Sequence, residues 1–545
     1  MIKKSKYYLF AILFLLLISF FLTIDNFYLQ SAVDGGLILN GDLKFPNQSS
    51  NVLAVHFNSW TILNHISLLL VKTNFNVFII SKILLYLSIF CLSIGIFFIS
   101  FEITKNLFLS IFIVCLSMIG KINFGNADYH AVLYSEHTYG MFALSVFTLF
   151  VGLLFKRNFK LAGFTLLLLF SMHVVIGFWV ILICISIILY FNFTIKNKHI
   201  FNNYFTKPFF MGTIIGLIPS LFSFLVYKKN LIEKSNFNQE NFQTYLDLWD
   251  HHRNINEINY IYIFLTLTLI TLFYIYYKKQ NNDKNRFEKF LLYFISFHCI
   301  GSLVFYLVYK FFSQYLPEIF IRAMVSRIFL IHTHIGYPLI ICSFYHLFNE
   351  KFQLNLHKKN FIKFILILII FASSVLIYKY ENRSYKSNKD LSSKITYRIN
   401  KIKKNFSNSL DVENKNFWKQ VNNLDSNGFF VTTFDTSEPT LKFGKKPYII
   451  NAKYFDLVPY HPYTVNEVKI ILEQIYNISF SNPPKKFTPE IRDEWIIKIF
   501  ESRSKLEWMK LSRQFNLSGI IVPSSWKINI DKKITSDQFT LYELK

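Results

Sequence analysis

Between residues 7 and 378 the chain carries ten apolar runs of 18 residues or more, at 7–24, 76–100, 106–124, 138–155, 161–192, 209–227, 259–277, 290–310, 328–348 and 361–378. About 20 apolar residues cross the hydrocarbon core of a bilayer as a helix, and a soluble fold has no interior large enough to hide ten such helices. The expected class is therefore a polytopic α-helical membrane protein. The balance of 52% hydrophobic to 17% charged residues agrees, and with only 17 Gly and 13 Pro against 63 Phe the collagen-like and low-complexity classes are excluded.

The run at 161–192 decides the topology. As one helix its 32 residues would be on the order of 48 Å long, against a core of about 30 Å. It reads as two short spans meeting near His173, which gives about eleven crossings. A basic start (Lys3, Lys4, Lys6) before an apolar run with no small-residue cleavage site reads as an uncleaved first span with a cytoplasmic N-terminus. The C-terminal region then falls outside, in an inner (plasma) membrane setting. Counting lysine and arginine in the later loops does not choose between topologies: the split form puts twelve inside and the unsplit form thirteen. The shorter apolar piece at 59–72 reads as a re-entrant or interfacial helix.

Composition changes near residue 380, which divides the chain into a multi-span region, 1–379, a charged linker or helix, 380–427, and a soluble α/β domain, 428–545. In the last part 428–434, 447–451, 519–523 and 539–544 are β-rich. Thr464 with Glu467 fits a capping box opening a helix over 465–476, and Thr488 before Pro489 fits a second helix start. No glycine-rich phosphate loop is present. The formal charge of +25 reads as topology-setting loop charge and attraction to membrane lipids, with no nucleic-acid partner. All five cysteines lie in apolar runs without metal-ligand or disulfide spacing.

The polar residues that could carry chemistry lie at or between these runs. Asp25 and Asp34 follow the first run, and Asp34 with Gly35 and Gly36 reads as a tight turn, either solvated or offering a ligand. Asp128, Glu136 and His137 form a second group, at the start of a run where an ionisable pair needs a cavity or a partner. His173 lies deeper and suits either a helix cap or a ligand contact. The densest cluster is Asp247, Asp250, His251, His252 and Arg253, whose carboxylates, imidazoles and guanidinium can meet a divalent cation or a phosphate. Arg322 and Arg327, before the run at 328–348, suit a lipid phosphate or a head-group anchor.

A first span, a loop bearing Asp25 and Asp34, an interfacial helix, many further spans and a C-terminal α/β part together resemble the GT-C superfamily of polytopic glycosyltransferases, which take sugars from polyprenyl phosphate or pyrophosphate carriers at the outer membrane face. The resemblance implies that Asp34 or Asp25 is the catalytic carboxylate, with Glu136 in the second acidic element. It implies that Arg322, Arg327 and Arg253, with His137, His173, His251 and His252, contact the carrier phosphate or substrate. The acceptor would be a glycan, lipid or protein. Asp34, Asp128 and Asp250 would be the ligands of a divalent cation (Mg or Mn) if one is used. The frequent paired-acid form of the first motif is absent, since Gly35 follows Asp34. Two other classes fit the same chain: a transporter or lipid flippase, with Glu136, His137 and His173 on its pathway, and a non-catalytic membrane assembly protein acting through its tail.

Overall fold

The computed structural model describes residues 2–24, 31–46, 61–119, 139–194, 206–229, 238–250, 266–272, 286–312, 412–450, 457–484 and 493–544, with scattered positions elsewhere between 263 and 455. The protein is predominantly helical. In chain order the first helices are α1 (Ile2–Ile24), α2 (Ser31–Asn40), α3 (Ile62–Lys72), α4 (Val77–Thr104), α5 (Leu107–Ile119) and α6 (Tyr139–Phe155). Then come α7 (Phe159–Met172), α8 (Val174–Thr194), α9 (Lys207–Lys229), α10 (Gln239–Leu248) and α11 (Arg286–Phe312). The C-terminal region contains α12 (Val412–Asn422), β1 (Phe429–Thr432), α13 (Phe434–Lys442), α14 (Val465–Gln474), α15 (Asp493–Ser502), α16 (Lys505–Phe515), β2 (Leu517–Pro523), β3 (Lys532–Thr535) and β4 (Phe539–Glu543).

The chain folds into two compact units. One comprises Met1–Tyr28, Lys82–Ser220 and Ile258–Ser407; the other comprises Leu29–Ser81, Leu221–Glu257 and Asn408–Lys545.

Among the described residues, two helices are long and apolar enough to cross a membrane: α4 and, within α11, Tyr293–Phe312. The surface of the first unit fits that solvent. On α1 the residues Ala11, Leu15, Ser19 and Thr23, spaced by four, are buried, whereas Leu9, Phe10, Leu13, Leu17, Phe20 and Phe21 are exposed. Large side chains turned outward, with small or hydroxyl side chains at three of these four inward positions, are the arrangement of helices solvated by lipid. Several buried hydroxyls are satisfied within their own helices, Thr23 donating to the Ser19 carbonyl, Ser93 to Ile89 and Thr148 to Leu144. Small residues then let helices meet. A Cβ on Gly95 would lie 2.5 Å from the Thr148 carbonyl carbon, and Ser88 hydrogen-bonds Ser145 at 2.9 Å, so α4 and α6 touch nearly backbone to backbone. On α9, Gly212 and Gly216 abut the Lys160 and Phe164 carbonyls of α7, and Ser220 donates to the Leu167 carbonyl at 3.0 Å, a small-residue stripe with a four-residue repeat. These features belong to a membrane-associated helical protein.

The run at 161–192 is two helices, α7 and α8, that break at His173, where the backbone is extended (φ −151°, ψ 104°). A Cβ on Gly177 would fall 2.5 Å from the Phe170 Cα. Residues seven apart in one straight helix are about 10 Å apart along its axis, so the chain doubles back at the break.

In the second unit the sheet has the order β1-β2-β4-β3, with β1 parallel to β2 and the other pairs antiparallel. Its core holds Phe417, Trp418, Val421, Phe430, Ile521 and Leu541. The β-rich stretch at 447–451 contributes a single bridge, Phe430 to Tyr448, instead of a strand. The expected capping box at Thr464 is not formed. A tight helical turn, Pro462–Thr464, precedes α14, so Thr464 is already helical (φ −83°, ψ −6°) and its hydroxyl donates to the His461 carbonyl at 2.7 Å. Thr488 and Pro489 lie outside the described residues.

Candidate functional site

Asp34 lies inside α2 and is fully buried, not on a solvated turn. Two successive glycines weaken a helix by about 1 kcal/mol each relative to alanine, and their place here comes from packing. A Cβ on Gly35 would strike the Asn64 side chain of α3, and one on Gly36 would lie 2.8 Å from the Ser67 backbone carbon. Helix α3 is itself fixed by Thr61, whose side chain accepts from the Leu63 N–H at 3.3 Å. The glycines thus let α2 sink against α3 and carry Asp34 out of solvent.

Its partner comes from the C-terminal region. Lys442, in the last turn of α13, places its ammonium 2.8 Å from an Asp34 carboxylate oxygen, and neither side chain is exposed. The same ammonium meets Glu438 one turn earlier. Helix α13 begins with a reciprocal cap between Thr433 and Thr436, and Thr436 also donates to the Ile521 carbonyl at 2.8 Å, which ties the helix to β2. A cation in the last turn is favoured by the helix dipole and by the four-residue spacing from Glu438.

A second pair joins the same two segments: Lys445 lies 3.0 Å from Asp42. Partial burial pushes the Asp42 carboxyl up, but the Asn40 amide at 3.0 Å and the Lys445 ammonium outweigh it and hold it below its ordinary value. Phe45 against Phe429 and Phe78 against Phe443 add apolar contacts.

Asp250 is buried at the end of a segment anchored to the C-terminal region. Asn241 donates to Asn466 at 2.8 Å, the Tyr245 hydroxyl to the Phe455 carbonyl at 2.5 Å, and the Trp249 indole to the Phe480 carbonyl at 2.7 Å. His173, in the other unit, accepts from the Ile176 N–H through Nδ1 at 3.4 Å and so caps α8. Asp25, Asp128, Glu136, His137, His251, His252, Arg253, Arg322 and Arg327 lie outside the described residues.

The carboxylate of Asp34 faces an ammonium, which suits a salt bridge and repels a divalent cation. Among the described residues no three of His, Cys, Asp and Glu form a metal-ligand group. Lys442, Glu438 and Lys445 were not singled out in the sequence. The available signal was the Glu438/Lys442 spacing, which is common on solvated helices.

No protein-family model matches the chain, and no curated protein is similar to it.

Proposed function

We propose that the chain is a multi-pass membrane glycosyltransferase that moves a sugar from a polyprenyl-phosphate carrier to an acceptor at the outer membrane face. The observation that carries this reading is the composition of the second unit. Helix α2 with Asp34, helix α10 with Asp250 just beyond it, and the C-terminal α/β region belong to one compact unit although far apart in sequence. On this reading they are the extramembrane parts that such an enzyme needs in one place.

In the proposed reaction a carboxylate, Asp34 or Asp25, accepts the proton of the acceptor hydroxyl as its oxygen bonds to the sugar C1. The C1–O bond to phosphate breaks, and the electron pair leaves with the polyprenyl phosphate. Fixed cations, Arg253, Arg322 or Arg327, balance the charge on the leaving phosphate. For Asp34 to act, its carboxylate must exchange Lys442 for the acceptor hydroxyl. The carrier's hydrocarbon chain would lie against the outward Phe- and Leu-rich helix faces.

The test is transfer of labelled sugar from a synthetic polyprenyl-phosphate donor by the purified chain in proteoliposomes. Wild-type transfer abolished in Asp34→Asn, with unchanged folding, supports the assignment; transfer surviving both Asp34→Asn and Asp25→Asn removes the proposed base. A second reading, a non-catalytic membrane assembly protein, is favoured by the complete enclosure of the Asp34–Lys442 pair. It predicts no transfer by wild type with any donor.

A further inference from the structure

We infer that Glu438 is a positioning residue for Asp34: it takes over the Lys442 ammonium when Asp34 turns to a substrate, and the place that the ammonium leaves receives a neutral hydroxyl. The inference rests on the proposed role of Asp34 as the base and deepens it.

The two contacts of Lys442 differ in kind. Asp34 comes to it from α2, and both of those side chains are fully enclosed. Glu438 comes to it from one turn earlier on α13 itself, and its side chain is 30% exposed. A glutamate four residues ahead of a lysine on one helix is the favoured order for such a pair, and no movement of α2 separates the two. Glu438 is thus the standing partner of the ammonium, and Asp34 the exchangeable one.

The lysine is the part that moves. Helix α2 has no slack against α3, where Gly35 abuts the Asn64 side chain and a Cβ on Gly36 would lie 2.8 Å from the Ser67 backbone carbon. Just past its end, Asp42 is tied to Lys445 at 3.0 Å. The Lys442 ammonium, by contrast, rides on a flexible four-carbon stem, and a swing toward Glu438 carries it to the more exposed side of the group. A buried ammonium released with no second carboxylate would be stranded without compensation. Here the cation stays paired throughout the exchange.

The charge of the group decides what enters. One cation lies between two carboxylates, so a negative charge is in excess. A phosphate brought against it is repelled, whereas an uncharged hydroxyl can donate to Asp34 as the ammonium withdraws. The place beside Asp34 therefore takes the acceptor hydroxyl, and the carrier phosphate is held by other residues.

The test is sugar transfer by the full chain in proteoliposomes from a synthetic polyprenyl-phosphate donor, with rates normalised to the monodisperse fraction. In Glu438→Gln the ammonium has Asp34 as its one remaining carboxylate of the pair, the competent fraction falls, and kcat is expected to drop about tenfold with the donor KM unchanged. The charged groups that α13 brings to Asp34 are Lys442 and Glu438, while α3 presents the neutral Asn64 and Ser67 to the adjoining glycines. Removing the Glu438 charge therefore leaves the ammonium acting on Asp34 undivided, and the acid limb of kcat/KM is expected to move to lower pH, which a merely structural role would not do. Glu438→Asp, which keeps the charge, should restore most of the rate, and Glu438→Met replaces Glu438→Gln if that variant does not accumulate. Transfer that is lost in Asp34→Asn but keeps its wild-type kcat and acid limb in the neutral Glu438 variant overturns the inference and leaves the proposed reaction standing. Transfer surviving Asp34→Asn overturns it as well, with Asp25 left as the base, and absence of transfer by wild type overturns the inference and the proposed reaction together.

Discussion

Lys442 reaches back roughly 400 residues to place its ammonium 2.8 Å from the Asp34 carboxylate, and the pair is closed to solvent on both sides. With Glu438 on the same ammonium, the group is two carboxylates around one cation, holding α2 to α13 of the C-terminal region.

Breaking such a pair from one side leaves an uncompensated buried charge, a loss of about 3–5 kcal/mol. Lys442→Met is therefore expected to lower the unfolding temperature markedly. The double variant Asp34→Asn, Lys442→Met should recover part of that loss, since it removes both charges together. Thermal unfolding in detergent, followed by the monodisperse fraction, measures the cycle; a neutral Lys442→Met would refute the load assigned to the pair.

How far the sequence revealed this depends on the range of each interaction. Strands β1, β2 and β4 were legible because aromatic and β-branched residues cluster in them. Strand β3 was not, because Lys532, Lys533 and Thr535 are exposed at the sheet edge and leave no apolar face to read. Helix α13 was hidden by Pro439 and a run of Thr, Ser and Asp, poor helix formers that become helical through the Thr433–Thr436 cap and the bond to Ile521. The break at His173 followed from length alone. The Asp34–Lys442 pairing had no local signature, because no spacing within either segment encodes the other, and Asp34 beside two glycines resembles a turn until α3 supplies the surface that excludes a Cβ.

That packing gives a second expectation. Alanine normally strengthens a helix over glycine by about 1 kcal/mol, yet Gly36→Ala should destabilise the protein by about 1–3 kcal/mol, since the new Cβ meets the Ser67 backbone. Gly35→Ala meets only the Asn64 side chain. A partial rescue by Asn64→Ala is expected there, and none for Gly36→Ala. Unfolding temperatures of the four variants decide it, and a stabilised Gly36→Ala would contradict the close approach of α2 and α3.

The outer pair sets a pH dependence. Asp42 titrates below its ordinary value in the folded state, so its contribution is present above the unfolded carboxylate pKa of about 3.9 and is lost as pH falls through the lower folded value. Because both side chains are partly exposed, the effect should be small, about 0.2–1 kcal/mol. The stability gap between wild type and Asp42→Asn should be constant from pH 7 to 5 and close below pH 4. A gap that widens on acidification would mean that the folded state raises the Asp42 pKa instead of lowering it.

Trp249 carries the attachment of α10. Its ring lies between Phe455 and Phe480, with centroids 5.3 and 6.1 Å away and planes within 12°, while its N–H satisfies the Phe480 carbonyl. Trp249→Phe retains the stack but strands that buried carbonyl, a loss of about 1–3 kcal/mol. Trp249→Ala also opens a cavity and should lose about 3–5 kcal/mol. Because Tyr245 and Asn241 hold the other end of the helix, the damage should be local: limited proteolysis of Trp249→Ala is expected to cut within 230–257 first while the sheet fragment persists. Simultaneous loss of both would show that the segment and the sheet unfold as one cooperative unit, and an unchanged cleavage pattern would show that the stack does not hold α10 in place.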